Sequence, residues 1–235
     1  MGGVRTPHVL PAGGPLWFPD PEEFDEEGCV MIGADLAPER LLVAYRSGIF
    51  PWHAEDLPLL WWSPDPRAVI DPRTLHVSRS LGRRLRRASH ELTWNRCFSR
   101  VVRECASGEG REGRTWILPE MVDAYCALHE RGNAHSLEVW EEGELAGGIY
   151  GVQVGGLFAA ESMFHRRRDA SKIALVALVR SLFRAGIELM DVQFATPHLK
   201  SMGAVEIPRK DYLKRAKRAS RRAVSLEGLP VSADP

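Results

Sequence analysis

The sequence lacks any apolar run long enough to cross a bilayer, for which about 20 residues are needed. Its first 15 residues are rich in glycine and proline and lack the apolar centre of a signal peptide. We therefore expect a cytoplasmic protein with no membrane partner.

Cysteine is scarce and shows no pattern. The four cysteines have neither CxxC nor any other metal-ligand spacing, which argues against a metal site and against a disulfide framework. We expect thiols in a reducing compartment and no bound metal.

Net charge is absent, because 31 basic residues balance 31 acidic ones. The charges are nevertheless segregated: Asp20–Glu27 is acidic, whereas Arg79–Arg87, Arg166–Arg168 and Arg209–Arg222 are basic. Segregated charge on a neutral chain allows one face to bind anions without nonspecific binding by the whole surface.

The most regular pattern lies between residues 137 and 194. It predicts a three-stranded meander, a helix that is apolar nearly all round, and one further strand. Asp169 stands at the candidate N-cap of the helix. We therefore predict an α+β fold with a mixed sheet, built from Leu137–Trp140, Leu145–Val154, Leu157–Phe164, Ser171–Ala185 and Glu188–Phe194.

Three polar residues interrupt these apolar runs: Glu161, Asp191 and Gln193. Asp191 and Gln193 are two apart on one strand, so their side chains should leave the same face. A charge beside a buried sheet is costly unless it is paired. The spacing fits a functional site and a purely structural hydrogen-bonded pair equally well.

Residues 1–66 form a small N-terminal α/β domain in this interpretation, and residues 67–235 form the larger one. Residues 1–15 are predicted to be disordered. The boundary falls in an aromatic, proline-rich stretch that carries Trp52, Trp61 and Trp62 on an irregular backbone. Such aromatics are more often core residues than site residues.

Several short runs of the chain form a recognisable series. They are Ile32–Leu36, Gly48–Trp52, Trp61–Arg67, His76–Ser80, Thr115–Ile117, His135–Trp140, Glu161–Phe164, Asp169–Lys172, Asp191–Gln193, His198–Leu199 and Glu206–Arg209. Together and in this order, they resemble the bacterial leucyl/phenylalanyl-tRNA–protein transferases, and the resemblance extends from about Phe18 to Leu213.

The resemblance implies a C-terminal domain of the GNAT (acetyltransferase-like) fold behind a small N-terminal domain. It implies transfer of Leu or Phe, with Met as a further donor, from aminoacyl-tRNA to the α-amine of proteins that begin with Arg or Lys. Such transfer marks the acceptor for N-degron proteolysis. It further implies a monomer that needs no cofactor.

The resemblance also assigns residues to the reaction. It places Asp191 and Gln193 at the reaction centre, with Gln193 either as a base or as an acceptor that orients the amine. In the second case we expect Asp191 to accept a hydrogen bond from the Gln193 amide. Glu161 matches the substrate-binding glutamate of the family.

Two kinds of apolar contact are implied for the donor. Trp52 and Trp116 match positions that contact the terminal adenosine of the tRNA, where stacking contributes about 1–3 kcal/mol per base. Phe158, Ile149 and Leu178 match positions of the pocket for the donor side chain.

The tRNA body should be held through its phosphates by clustered arginines. For any single arginine, a solvated charged surface is the competing interpretation. The candidates are Arg79, Arg83, Arg84, Arg86, Arg87, Arg166, Arg167 and Arg168.

Two other functions compete with this one. An acyl-CoA N-acyltransferase of the same fold would carry a glycine-rich pyrophosphate loop before its central helix, but His165–Ser171 contains no glycine. A non-catalytic RNA-binding protein would explain the arginines and tryptophans. It would not explain Glu161, Asp191 and Gln193 in apolar surroundings.

Overall fold

The computed structural model describes residues 5–53, 56–87, 90–107 and 115–234. Within these ranges the strands are β1 (His8–Leu10), β2 (Cys29–Gly33), β3 (Phe50–Trp52), β4 (Leu60–Trp62), β5 (Arg67–Ile70), β6 (Glu91–Trp94), β7 (Ala134–Glu141), β8 (Glu144–Val154), β9 (Leu157–His165), β10 (Leu189–Gln193) and β11 (Val205–Ile207). The helices are α1 (Pro38–Arg46), α2 (Arg79–Arg86), α3 (Phe98–Ser107), α4 (Pro119–Glu130), α5 (Ala170–Arg184), α6 (Pro197–Ser201) and α7 (Arg209–Ala219).

The larger sheet has seven strands in the order β11-β5-β10-β9-β8-β7-β6. Among these described strands only the β9–β10 pair is parallel, and α5 makes the connection between these two strands. The meander, the helix and the following strand predicted from the sequence are confirmed. The fold class is α+β with a mixed sheet, as expected.

Helix α5 packs against one face of this sheet, and α3 and α4 contribute to the core on the other. Alternate residues of the strands supply the two cores, since successive side chains point to opposite faces. Gly147 on β8 allows the start of α5 to approach closely, because a Cβ there would lie 2.7 Å from the Cβ of Ala170. Asp169 does occupy the N-cap position, but its φ is +61° and its side chain does not cap the helix; it binds Lys172 instead.

The N-terminal part of the chain builds a separate four-stranded sheet in the order β1-β2-β4-β3. Its hydrophobic side chains do not form a separate core, because Tyr45 and Trp61 share one cluster with Phe98 and Tyr125 of the larger part. The boundary expected at residue 66 therefore separates the two sheets, whereas one hydrophobic core is continuous across it.

Two expectations for the N-terminal part need correction. Residues 5–15 are not disordered, since His8–Leu10 pairs in parallel with Met31–Gly33; residues 1–4 lie outside the described ranges. The backbone that carries Trp52, Trp61 and Trp62 is regular, because these residues lie on β3 and β4. Paired strands supply backbone hydrogen bonds that local composition does not reveal.

Candidate active site

The site lies where β10 ends beside the middle of the adjacent strand β9, next to the N-terminal sheet. It brings together Glu161 of β9 and Gln193 of β10, two of the residues predicted from the sequence. They face a cavity of about 340 Å³. The cavity is lined by Phe50, Pro51, Trp52, Trp116, Glu161, Ser162, Met163, Val192, Gln193, Phe194, Thr196, His198 and Leu199.

Gln193 is held through both its backbone and its side chain. Its main-chain N–H donates to Asp191 Oδ1 at 2.9 Å, and its Nε2 donates to Glu161 Oε1 at 3.0 Å. From the sequence we expect the Gln193 side-chain amide to donate to Asp191. In the structure it donates to Glu161 instead. Gln193 has φ of +56°, and the pairing register with β5 shifts between Asp191 and Gln193.

Asp191 is fully buried and forms an ion pair with Arg67 of β5. Arg67 donates from Nε to Oδ1 at 2.9 Å and from Nη2 to Oδ2 at 2.6 Å, while the Tyr212 hydroxyl donates to Oδ2 at 2.8 Å. Burial acts to lower the pKa of Arg67, but the attraction and hydrogen bonds of Asp191, together with the attraction of Tyr212 and Glu161, raise the pKa overall.

Glu161 lies between two kinds of environment, because one edge faces the cavity and the other contacts buried tyrosines. The Tyr125 hydroxyl donates to Oε2 at 2.9 Å, and the Tyr45 hydroxyl lies 3.0 Å from that of Tyr125. Burial raises the pKa of Glu161 to about 7, although the hydrogen bonds from the tyrosines oppose the shift. The carboxyl group therefore titrates near neutral pH.

An aromatic wall forms one side of the cavity. Trp52 and Trp116 are stacked, with ring centroids 5.4 Å apart and an interplanar angle of 23°. The structure thus brings together the two tryptophans predicted to contact adenosine. Phe194, which the sequence did not single out, meets Trp52 edge-on at 6.1 Å and is 41% exposed.

A small apolar recess of about 60 Å³ opens beside Glu161 and Gln193. Ile149 lines it, as predicted. Phe158 and Leu178 are core residues that line neither this recess nor the larger cavity. The other apolar residues at the recess are Ala160, Met163, Leu175, Val192 and Leu199.

None of the candidate arginines lines the cavity, although the cavity beside Arg166–Arg168 shares Met163 and His198 with it. On and after α2, Arg79, Arg83, Arg86 and Arg87 are exposed, whereas Arg84 is partly buried and binds Glu141 at 2.6 Å.

The second cluster borders a further cavity of about 1030 Å³ at the start of α5. Arg167 is exposed there, Arg166 binds Glu104 at 2.5 Å and Arg168 lies 3.6 Å from Asp169. Carboxylates thus partly neutralise this cluster.

Neither a metal-ligand cluster nor a membrane-spanning helix is found in the described part of the chain. No three His, Cys, Asp or Glu side chains meet there as a metal site requires. No helix in those ranges combines the length and apolar character that crossing a bilayer demands.

The mixed sheet, the helix between its parallel strands and the polar cluster beside the end of β10 define an α+β protein with a candidate active site at its parallel strand pair. The sequence model of the leucyl/phenylalanyl-tRNA protein transferase family matches residues 69–217, and that of its N-terminal domain matches residues 34–65. The chain therefore belongs to this family and is an aminoacyltransferase.

Individual relatives agree with this assignment. The chain is 54% identical over 204 residues to the leucyl/phenylalanyl-tRNA–protein transferase of Anaeromyxobacter sp. (strain Fw109-5), covering 86% of each chain. It is 52% identical over 201 residues to that of Desulforapulum autotrophicum, covering 85% of this chain and 88% of the relative.

Solved structures resemble the chain more distantly. A GCN5-related N-acetyltransferase from Kribbella flavida is 10% identical with a TM-score of 0.38, covering 71% of this chain and 59% of that one. L-PGS from Bacillus licheniformis is 14% identical with a TM-score of 0.40, covering 73% of this chain and 57% of that one.

Proposed function

We propose that the protein transfers Leu or Phe, and Met as a further donor, from aminoacyl-tRNA to proteins that begin with Arg or Lys. The product would carry a new N-terminal residue that marks it for N-degron proteolysis. One observation carries the proposal: the Gln193 amide and the Glu161 carboxylate meet at the junction of an aromatic cavity and an apolar recess. An aminoacyl-adenosine needs both surfaces.

The aminoacylated end of the tRNA carries an adenine and an amino-acid side chain, which suit the aromatic cavity and the apolar recess respectively. Trp52, Trp116 and Phe194 offer aromatic faces and edges to the terminal adenine. Ile149 and Leu175 border the adjoining recess, which suits an unbranched or γ-branched apolar side chain. Such pockets discriminate by size, at about 1–3 kcal/mol per methylene.

The acceptor needs to present a neutral α-amine to the ester carbonyl. A free α-amine has a pKa of about 7.7 to 8.0, so a useful fraction is neutral near pH 7. Because Glu161 holds the NH2 side of the Gln193 amide, the carbonyl oxygen of that amide can accept a hydrogen bond from the attacking amine. Gln193 thereby aligns the nucleophile, and alignment supplies much of the acceleration.

Glu161 contributes the negative charge of the site. Its ionised carboxylate can attract the α-ammonium group or the basic side chain of the acceptor, and this attraction supports the preference for Arg and Lys. The monomeric state and the cytoplasmic location stay predictions.

A label-transfer assay tests the proposal. We expect radiolabel to pass from Leu-tRNA to a model protein that begins with Arg and not to the same protein beginning with Glu. Label that enters protein only from acetyl-CoA would support the acyl-CoA alternative. Binding of tRNA without transfer would support the non-catalytic one.

Stacking at the aromatic wall can be tested separately. Trp116→Ala should raise the KM for aminoacyl-tRNA about 5- to 150-fold, which corresponds to the loss of about 1–3 kcal/mol of stacking. The KM for the acceptor protein should stay unchanged. Trp17→Ala is the matched control, since Trp17 is 45% exposed and lies outside the cavity. Steady-state kinetics equal to wild type in Trp116→Ala would argue against adenosine at this position.

The arginines of α2 should bind the tRNA backbone. Arg79 and Arg83 are exposed four residues apart on one helical face, so Arg79→Glu/Arg83→Glu should weaken tRNA binding. The slope of log K against log salt should fall by about 0.7 to 0.9 for each phosphate that the variant no longer neutralises. Arg46→Glu, at an exposed arginine of α1 outside both clusters, is the control. An unchanged salt slope would mean that these arginines form a solvated charged surface and do not neutralise tRNA phosphates.

Arg84 differs from its neighbours in this respect. Because it binds Glu141 and is partly buried, its reversal would place two carboxylates together and disturb the fold. It is therefore unsuitable for a test of tRNA binding.

A further inference from the structure

A buried ion pair lies directly behind the strand end that carries Gln193. The Arg67 and Asp191 side chains are each 1% exposed. Apolar residues of similar size often replace such a pair without loss of stability, so its presence is weak support for a role in stability alone. The contacts of the pair indicate what else it does.

The Asp191 carboxylate is saturated with donors. Oδ1 accepts from Arg67 Nε and from the main-chain N–H of Gln193, and Oδ2 accepts from Arg67 Nη2 and from the Tyr212 hydroxyl. An ionised carboxylate offers about four acceptor positions, so these four bonds occupy it. Asp191 therefore serves to hold groups in place and does not exchange a proton with the substrate.

Arg67 is itself held tightly. Its Cζ lies 4.6 Å from the centroid of the Phe50 ring and 4.5 Å from that of Tyr212, so the guanidinium is enclosed between two aromatic faces. Nη1 donates to the carbonyl of Gly48 at 3.1 Å. These contacts anchor Arg67 to the N-terminal sheet and to α7 at once.

The Gln193 backbone depends on this support. A φ of +56° is uncommon for a residue other than glycine and needs compensation from its surroundings. The bond from the Gln193 N–H to Asp191 provides such compensation. With its backbone held in this way, Gln193 extends its side-chain amide toward Glu161 on the neighbouring strand.

We infer that Arg67 and Tyr212 are positioning residues of the transfer reaction. Acting through Asp191, they hold the Gln193 backbone in the conformation that presents its amide to the attacking amine. The inference rests on the role proposed above for Gln193. It adds two residues, one on β5 and one on α7, that touch neither substrate.

Arg67 has a second connection that Tyr212 lacks. Phe50, which stacks on Arg67, packs edge-on against Phe194 at 5.7 Å, and Phe194 contacts Trp52. Arg67 therefore supports both the amine side and the adenosine side of the cavity. A change at Arg67 should affect donor binding as well as the rate, whereas removal of the Tyr212 hydroxyl should affect the rate alone.

Tyr212→Phe is the sharpest test, because it deletes one donor to Asp191 and keeps the ring on Arg67. We expect the single-turnover rate of transfer to fall about 10-fold or more, as a misplaced reacting group predicts. The KM for aminoacyl-tRNA should stay within about twofold of wild type, since the hydroxyl's own bond from Arg67 is long, at 3.5 Å, and Asp191 and the two rings still hold the guanidinium. Arg67→Lys keeps the charge but loses the two-pronged contact, and it should lower the rate and also raise that KM.

Coupling separates positioning from a general loss of structure. In a Gln193→Ala background, Tyr212→Phe should cost nothing further, because residues that act as a unit are not additive. Arg209→Lys is the matched control: Arg209 is a buried arginine on α7 that donates to the carbonyls of Phe24, Asp25 and Ser63 and does not contact Asp191. It should lower the unfolding midpoint without changing the transfer rate.

The outcomes that would overturn the inference are distinct. A wild-type transfer rate in Tyr212→Phe, together with an impaired Gln193→Ala enzyme, would refute the positioning role and leave the proposed role of Gln193 intact. Additive losses in the double variant would likewise refute it. A wild-type rate in Gln193→Ala would refute both.

Discussion

Replacement of Gln193 by alanine should lower the single-turnover rate of aminoacyl transfer about 100-fold. The amide is the group that aligns the attacking amine in the proposed mechanism, and loss of alignment is expected to cost about that much. Both substrates should still bind, because the aromatic wall, the recess and Glu161 stay in place. Rapid-quench measurement at saturating substrates, with separate binding titrations, checks this expectation.

Gln193→Glu tests whether a stronger base would improve the enzyme. The new carboxylate would lie about where Nε2 now lies, 3.0 Å from Glu161 Oε1. Two carboxylates this close share a proton and titrate as a coupled pair. We therefore expect impaired transfer near neutral pH rather than faster transfer.

The companion change at Asp191 needs a conservative substitution. Asp191→Ala would leave the buried Arg67 charge unpaired, which typically destabilises a protein by about 3–5 kcal/mol. Asp191→Asn would also remove the charge opposite Arg67 and would set an NH2 group against donors that it cannot accept from. Asp191→Glu keeps the carboxylate but displaces it by one methylene, and it is expected to lower the rate as Gln193→Ala does. If Gln193→Ala binds both substrates and transfers at a near-wild-type rate, catalysis would depend on substrate positioning and the ribose hydroxyl of the tRNA instead.

Regular periodicity allowed much of the fold to be predicted. Strand alternation and the apolar helix placed β7 to β10 and α5 within about three residues of their observed ends. The same patterns marked Glu161, Asp191 and Gln193 as polar residues in apolar surroundings. Local pattern therefore located polar residues that the structure places at or directly behind the candidate site.

The partners of those residues could not be predicted locally. Arg67 lies 124 residues from Asp191 in the chain, and Tyr45 and Tyr125 reach Glu161 from two other helices. A buried carboxylate does demand a partner, and the charged Arg67 at the start of an apolar strand was a signal that could have been used.

The backbone conformation of Gln193 could not be predicted from the local sequence either. Simple alternation places Asp191 and Gln193 as equivalent neighbours, but the register shift and the positive φ give them different partners. Such an irregularity depends on tertiary contacts and has no local sequence signature here.

Glu161→Gln should slow transfer and at the same time stabilise the folded protein above pH 7. The pKa of Glu161 is about 7 in the folded chain against an ordinary value of 4.5, because burial disfavours the charge. Below pH 4.5 the group is protonated in both the folded and unfolded states and has no effect on stability. As pH rises from 4.5 through 7 the unfolded state ionises first, so stability is lost, and the loss is complete above 7.

The neutral glutamine removes that loss, so the unfolding midpoint of Glu161→Gln should exceed that of wild type at pH 8, and the excess should shrink toward pH 5. The activity of the wild-type enzyme should instead rise over the pH range in which its stability falls. Wild-type kcat/KM should rise through about pH 7 as Glu161 ionises, before the acceptor amine completes its own titration near 8. The variant should lose the lower part of this rise and retain the upper part.

Glu138→Gln is the matched control for both measurements. Glu138 is a fully buried glutamate outside the cavity that accepts from the Thr93 and Ser136 hydroxyls and from the main-chain N–H groups of Arg96 and Cys97. Because a glutamine NH2 cannot accept these bonds, this variant should be less stable at every pH and keep the wild-type pH profile of transfer. If Glu161→Gln were destabilised at pH 8 as Glu138→Gln is, Glu161 would be an ordinary structural carboxylate. Gain of stability with loss of activity would instead mark it as a charge kept in the site for function.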